Sequence, residues 1–121
     1  MRRPSLLAQR IQRMRILFDH GTPSGIAASL TGHEVKEAIE QGWDRISNGE
    51  LLTLAEAGGF NLLLTTDKRI RYQQNLTSRK IAILVLKNST WPIVRLYLDR
   101  IATAVNNATP GSYTEVDIPF R

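Results

Sequence analysis

The chain contains no cysteine, which excludes a disulfide framework, a zinc–thiolate site and a thiol nucleophile. That fits a cytoplasmic protein, and cytoplasmic localisation is the expectation. Long apolar runs are also missing. None approaches the roughly 18–20 residues that a membrane helix needs, so no membrane partner is expected. Internal repeats and low-complexity tracts are absent. Acidic residues are missing before Met14, where Arg2, Arg3, Arg10 and Arg13 stand alone. Setting those four aside from the 16 Lys and Arg leaves 12 bases facing 11 acids. The body is therefore nearly neutral despite a formal net charge of +5. Global basicity is no argument for nucleic-acid binding here; only a local patch would be.

What is present is an ordinary globular composition, 42% hydrophobic and 22% charged over 121 residues. This suits one domain with a real core, and 14–121 is read as that domain. Residues 1–13 form a separate basic extension. Met14-Arg15-Ile16-Leu17-Phe18-Asp19 looks like a natural start, so the extension reads as loosely ordered or as a translated upstream segment. Two other readings compete. Leu6, Leu7 and Ile11 could line an amphipathic arm that touches a partner, whereas a targeting peptide lacks its apolar region and cleavage signature.

The chain then alternates. Arg15–Phe18 reads as a strand ending at Asp19-His20-Gly21. Thr22-Pro23-Ser24 opens a helix with Thr22 as cap and Ile26, Ala27 and Leu30 inside. A short second strand is expected near Glu34–Lys36, and His33 is expected at the surface. Ser47 or Asn48 caps a helix with Leu51, Leu52, Leu54 and Ala55 inside and Gly58-Gly59 as its stop. Phe60–Thr66 and Ile81–Leu86 are continuous apolar runs, as in strands covered on both faces. A turn and short helix fill 68–78. Trp91-Pro92 opens a long helix with Ile93, Val94, Leu96, Leu98, Ile101 and Ala102 inside. Tyr113–Ile118 alternates like an edge strand. The pattern predicts an α/β fold, three-layer α/β/α, with a mainly parallel sheet of about five strands.

The stretch Phe60–Asn75 organises the rest. Its apolar run stops at Thr65-Thr66-Asp67 and passes into Lys68, Arg69, Arg71, Tyr72, Gln73, Gln74 and Asn75. In open α/β sheets ligands bind beyond the carboxyl ends of the strands, where Asp67 falls. Asp19 ends the first strand on the same edge. Glu50, in the first turn of the helix before the third strand, joins them if that helix starts on the same edge. Converging carboxylates repel unless a cation neutralises them. Hard oxygen donors without His or Cys point to Mg²⁺ or Mn²⁺, and so to metal-assisted attack of water on a phosphodiester. Each acid also has a plainer reading: turn or cap for Asp19, helix dipole for Glu50, solvated turn for Asp67. Asp44, Glu56 and Asp99 read as surface charges.

Four segments carry a resemblance: Met14–Asp19 followed by Gly-Thr-Pro, Gly32-His33-Glu34-Val35, Asn48-Gly49-Glu50-Leu51-Leu52 and Leu64-Thr65-Thr66-Asp67. From about Met14 to about Lys87 the chain resembles the compact PIN-like nuclease domains related to VapC toxins, in a variant subgroup. The resemblance implies a Mg²⁺ site made by Asp19, Glu50 and Asp67. Where the family commonly shows Ser-Asp-Glu-Glu, this chain has Ser47-Asn48-Gly49-Glu50, so an uncharged Asn48 takes the place of an Asp ligand. It further implies a ribonuclease of toxin–antitoxin type, with RNA and a cognate antitoxin as partners; a homodimer is compatible with it. Lys68, Arg69 and Arg71 would then contact phosphates and Tyr72 would stack on a base. Gln73, Gln74 and Asn75 would read base edges or tie down the loop. Two rivals stand beside this. One is a non-catalytic PIN-like module that binds RNA or protein. The other is a receiver-like domain with Asp67 as phosphoacceptor, Asp19 on Mg²⁺ and Lys87 at the next strand end.

Overall fold

The structure is a computed structural model and describes residues 13–73, 76 and 78–119. The expectations for residues 1–12 therefore lie outside the described residues. Five short strands form one sheet: β1 Arg15–Phe18, β2 Glu34–Glu37, β3 Leu62–Thr65, β4 Ala82–Leu86 and β5 Tyr113–Val116. Their order is β2-β1-β3-β4-β5, and every pairing is parallel. All residues of β3 and β4 are buried, which is why these strands are unbroken apolar runs rather than alternating ones.

The period of two along each strand divides the core between the faces. Ile16, Phe18, Leu62, Leu64, Leu84 and Leu86 meet Ile26, Leu30, Val94, Ile101 and Val105 on one side. Leu17, Leu63, Ile83 and Val85 meet Ala38, Leu51, Leu52, Ala55 and Ile70 on the other. The result is the expected three-layer α/β/α arrangement. Among the described residues the α-helices are α1 Asn48–Ala57, α2 Ile70–Gln73, α3 Trp91–Val94 and α4 Leu98–Asn106. Ser47 caps α1 through a reciprocal capping box with Glu50. The chain leaves that helix at Gly59, whose φ of +80° is a conformation that favours glycine.

Three local expectations need correction. The segment after β1 is a 3₁₀ helix, Ser24–Ser29, and Pro23 rather than Thr22 precedes it. The Thr22 hydroxyl instead donates to the Leu64 carbonyl at 3.1 Å, tying the β1 loop to β3. The long helix after Trp91 is broken by a 3₁₀ stretch, Arg95–Tyr97. A 3₁₀ turn takes three residues instead of 3.6 and so shifts the phase of the buried stripe. Leu96, expected inside, is accordingly 59% exposed, and Val105 is buried in its stead. Leu54, also expected inside, is 39% exposed.

Candidate active site

From β1 the chain runs outward to β2, and β3 returns on the other side of β1. The carboxyl ends of β1 and β3 therefore bound a topological switch point, the place where doubly wound sheets form a ligand crevice. Phe18 pairs with Leu64 in register, and the Asp19 amide continues the ladder to the Leu64 carbonyl at 2.9 Å. Asp19 is thereby fixed beside Thr65, and Asp67 follows two residues on.

A fully buried hydroxyl joins the two acids. Thr65 Oγ1 donates to Asp19 Oδ2 at 2.8 Å and accepts from the Asp67 amide at 3.1 Å. Asp19 Oδ1 accepts from the His20 amide at 2.7 Å. Asp67 is held from three sides. Its Oδ1 accepts from the Arg69 amide at 2.9 Å and from Arg69 Nε at 3.1 Å. Its Oδ2 accepts from Arg69 Nη2 at 3.3 Å and from Asn48 Nδ2 at 3.1 Å. Asn48 reaches the site because α1 begins at this edge of the sheet.

The two carboxylates differ electrostatically. Burial pushes the Asp19 carboxyl above its usual range, and the neighbouring Asp67 charge adds to this. The Thr65 and His20 hydrogen bonds oppose the rise without cancelling it. Asp67 is pulled down to about 2, first by the Arg69 hydrogen bond. Partial burial opposes that pull, while the Arg69 amide and Asn48 reinforce it.

Glu50 does not join the pair. Its carboxylate folds back on Ser47, 3.4 Å from the amide and 3.3 Å from the hydroxyl. Among the described residues no three His, Cys, Asp or Glu side chains converge as a metal site. The third acid is the conditional member of the sequence reading, and helix capping is the role it plays here. What remains is the oxygen donor set of the Asp19 and Asp67 carboxylates; Asn48, expected as a ligand, instead turns its amide Nδ2 to Asp67 Oδ2. Such a set fits Mg²⁺, which is commonly held by one or two carboxylates with water completing its shell.

The basic residues divide as well. Arg69 is spent on Asp67, and Arg71 lies 3.5 Å from Glu115 and over the Tyr113 ring. Lys68 is exposed and lines an open cleft of about 490 Å³ with Thr66, Lys87, Asn88 and Ser89. The expectations for Tyr72, Gln73, Gln74 and Asn75 fall outside the described side chains.

Sequence reasoning missed two members of this edge. Thr65 was legible as a polar residue closing an apolar strand. Lys87 occupies the corresponding place after β4, a position weighed only for the receiver-like reading. A larger cavity, about 610 Å³, opens at the opposite edge between Met14, Phe60, Asn61, Ala82 and Asn106; its lining includes Glu56 but none of Asp19, Glu50 and Asp67. Its size does not make it the site, because it lies at the amino ends of the strands. Compared with family models, curated proteins and solved structures, the chain has no match.

Proposed function

We propose that the chain is a PIN-like, Mg²⁺- or Mn²⁺-dependent ribonuclease, the toxin of a toxin–antitoxin pair, with Asp19 and Asp67 holding the ion. One observation carries this reading. Two aspartates meet at the switch point through the Thr65 hydroxyl, and partial burial raises the Asp19 carboxyl above its ordinary range. A buried acid next to a second acid is better satisfied by a cation than by water. The Arg69 guanidinium already answers Asp67 in this way. Its side chain is 74% exposed, so it can leave without disturbing the core.

When bound, the ion would polarise a phosphoryl oxygen and acidify a water molecule. The chain's own residues do the remainder. Thr65 fixes the Asp19 carboxylate and the Asp67 backbone in one geometry. Asn48 orients Asp67 Oδ2 without adding charge. Lys68 and Lys87 flank the approach and would draw a phosphate into the crevice.

The test is hydrolysis of a labelled RNA by the purified chain with Mn²⁺ and with a chelator. Asp19→Asn and Asp67→Asn should each abolish the metal-dependent product. Cleavage that survives in both variants would remove this reading. Two observations favour a second reading, a non-catalytic RNA-binding module. Glu50 is engaged in its capping box and Arg69 covers Asp67. RNA binding without any metal-dependent product would select it.

A further inference from the structure

Trp91 stands beside this edge, and the acids do not account for its placement. The indole is 38% exposed, and its N–H has no partner among the described residues. It lies over Gly25, in the 3₁₀ helix Ser24–Ser29 that follows β1. A Cβ on Gly25 would come within 2.5 Å of Trp91 Cη2 and 2.6 Å of Cζ2. The six-membered ring edge is thus seated on bare backbone, and only glycine leaves room for it. This contact ties the first residue of α3, which follows β4, to the 3₁₀ helix Ser24–Ser29, which follows β1. Asn88 Oδ1 accepts from the Thr90 amide at 2.9 Å and fixes the turn that presents Trp91.

Two residues before Trp91, Ser89 lines the open cleft with Lys68 and Lys87. No acid contributes to that lining. The Lys87 ammonium is 3.9 Å from the Glu115 carboxylate, an exposed and loose pairing that holds it only weakly. Two cations line the cleft, and a half-open aromatic seated on Gly25 stands two residues beyond Ser89; together they match the alternation of phosphate and base in a single strand.

We infer that Lys68, Lys87 and Trp91 form a nucleotide-gripping wall, the lysines taking a phosphate of single-stranded RNA and the indole stacking on an adjacent base. This rests on the RNA reading above and adds the residues that hold the strand. Gly25 is a positioning residue, since it acts through Trp91. Tyr72, the aromatic expected to stack from sequence, is not needed for this surface.

The chain has two tryptophans, so Trp43→Phe leaves Trp91 as the sole indole. Trp43 packs edge-on against Phe60, within the opposite layer of the core. Titrating that variant with a short oligouridine in chelator should quench its fluorescence, because a stacked base contacts the ring directly. Full-length Trp91→Leu should bind a labelled oligouridine about 5- to 150-fold more weakly, the size of one lost base–aromatic stack. The difference should vanish on an oligonucleotide that is abasic throughout. Lys87→Gln should lower the salt slope by about 0.7, one counterion on a single strand.

Absence of quenching, or equal losses on abasic and base-bearing strands, would overturn the wall. The cleavage reading fails separately. RNA that quenches Trp91 yet is never cut with Mn²⁺ leaves the wall standing and removes the nuclease. RNA that is cut while Trp91→Leu and Lys87→Gln bind normally does the reverse.

Discussion

Thr65 Oγ1 donates to Asp19 Oδ2 at 2.8 Å from a position with no solvent exposure. The same oxygen accepts the Asp67 amide at 3.1 Å. One hydroxyl therefore sets the spacing of the two acids and supplies the neutral connection between them. Thr65→Val keeps the shape and removes both bonds. It should cost about 1–3 kcal/mol, because a buried acceptor and a backbone donor lose their partner. Thr65→Ser should restore most of that, and chemical denaturation of the three proteins measures both effects.

Acid titration should separate the two aspartates. Asp67 has its carboxyl held at about 2, below the ordinary range, by Arg69 above all. Its contribution to stability is present at neutral pH and is lost as the pH falls from the ordinary carboxylate range through about 2. Asp19 has the opposite sign. With its folded-state value raised by burial, the metal-free protein gains stability as falling pH protonates that carboxyl, before the Asp67 loss begins. Melting temperature against pH should pass through a shallow maximum on the acid side. Arg69→Gln should reduce the loss at the acid limb, and Asp19→Asn should remove the gain.

Glu56 should behave as a structural acid. Burial works against its charge, but the Ile81 and Lys80 amides and the Arg79 guanidinium together pull its carboxyl below the usual range. Its Oε2 accepts from Lys80 N at 2.6 Å and Ile81 N at 3.1 Å, at the entry to β4, and its Oε1 pairs with Arg79 at 3.0 Å. Glu56→Ala should cost about 1–3 kcal/mol, whereas the half-buried Asp44 and the exposed Asp99 make no such network among the described residues. Equal denaturation midpoints for Glu56→Ala and Asp99→Ala would contradict this.

The layers and the two aspartates were legible because each leaves a local signature. Unbroken apolar runs mark Leu62–Leu64 and Ala82–Leu86 as doubly covered strands, and a polar residue closing such a run marks the edge where Asp19 and Asp67 lie. Features that depend on partners remote in sequence were not legible. Glu56 read as a surface charge because its three donors lie 23–25 residues away. His33 also read as surface, yet it is half-buried. Its Nδ1 accepts from the Met14 amide at 3.0 Å, which leaves Nε2 to donate to Asn106 Oδ1 at 2.8 Å. Leu96 was misplaced for a different reason: a periodicity argument assumes one helix type throughout, and the 3₁₀ stretch breaks that assumption. Glu50 satisfied two patterns at once, the first-turn acid of a site and the third residue of a capping box. The nearby Ser47 took it.

Gly25→Ala should report on the seat of Trp91. The new methyl would meet the indole at 2.5 Å, so the ring must move. The substitution should cost about 1–3 kcal/mol as overpacking. In a Trp91→Leu background it should cost clearly less, since the two positions are in contact and their effects do not add. A double-variant cycle by denaturation measures the coupling. Additive costs would mean that the ring does not rest on Gly25.

The central claim is that Asp19 and Asp67 jointly hold a divalent cation. The direct measurement is a thermal scan of wild type, Asp19→Asn and Asp67→Asn, each with and without millimolar Mn²⁺. Binding to the folded state alone must raise the melting temperature by mass action. Wild type should rise by several degrees, and neither variant should respond. The metal-free variants should differ as well: Asp19→Asn no less stable than wild type, and Asp67→Asn less stable through loss of its pairing with Arg69. An equal Mn²⁺ response in all three proteins would contradict the account.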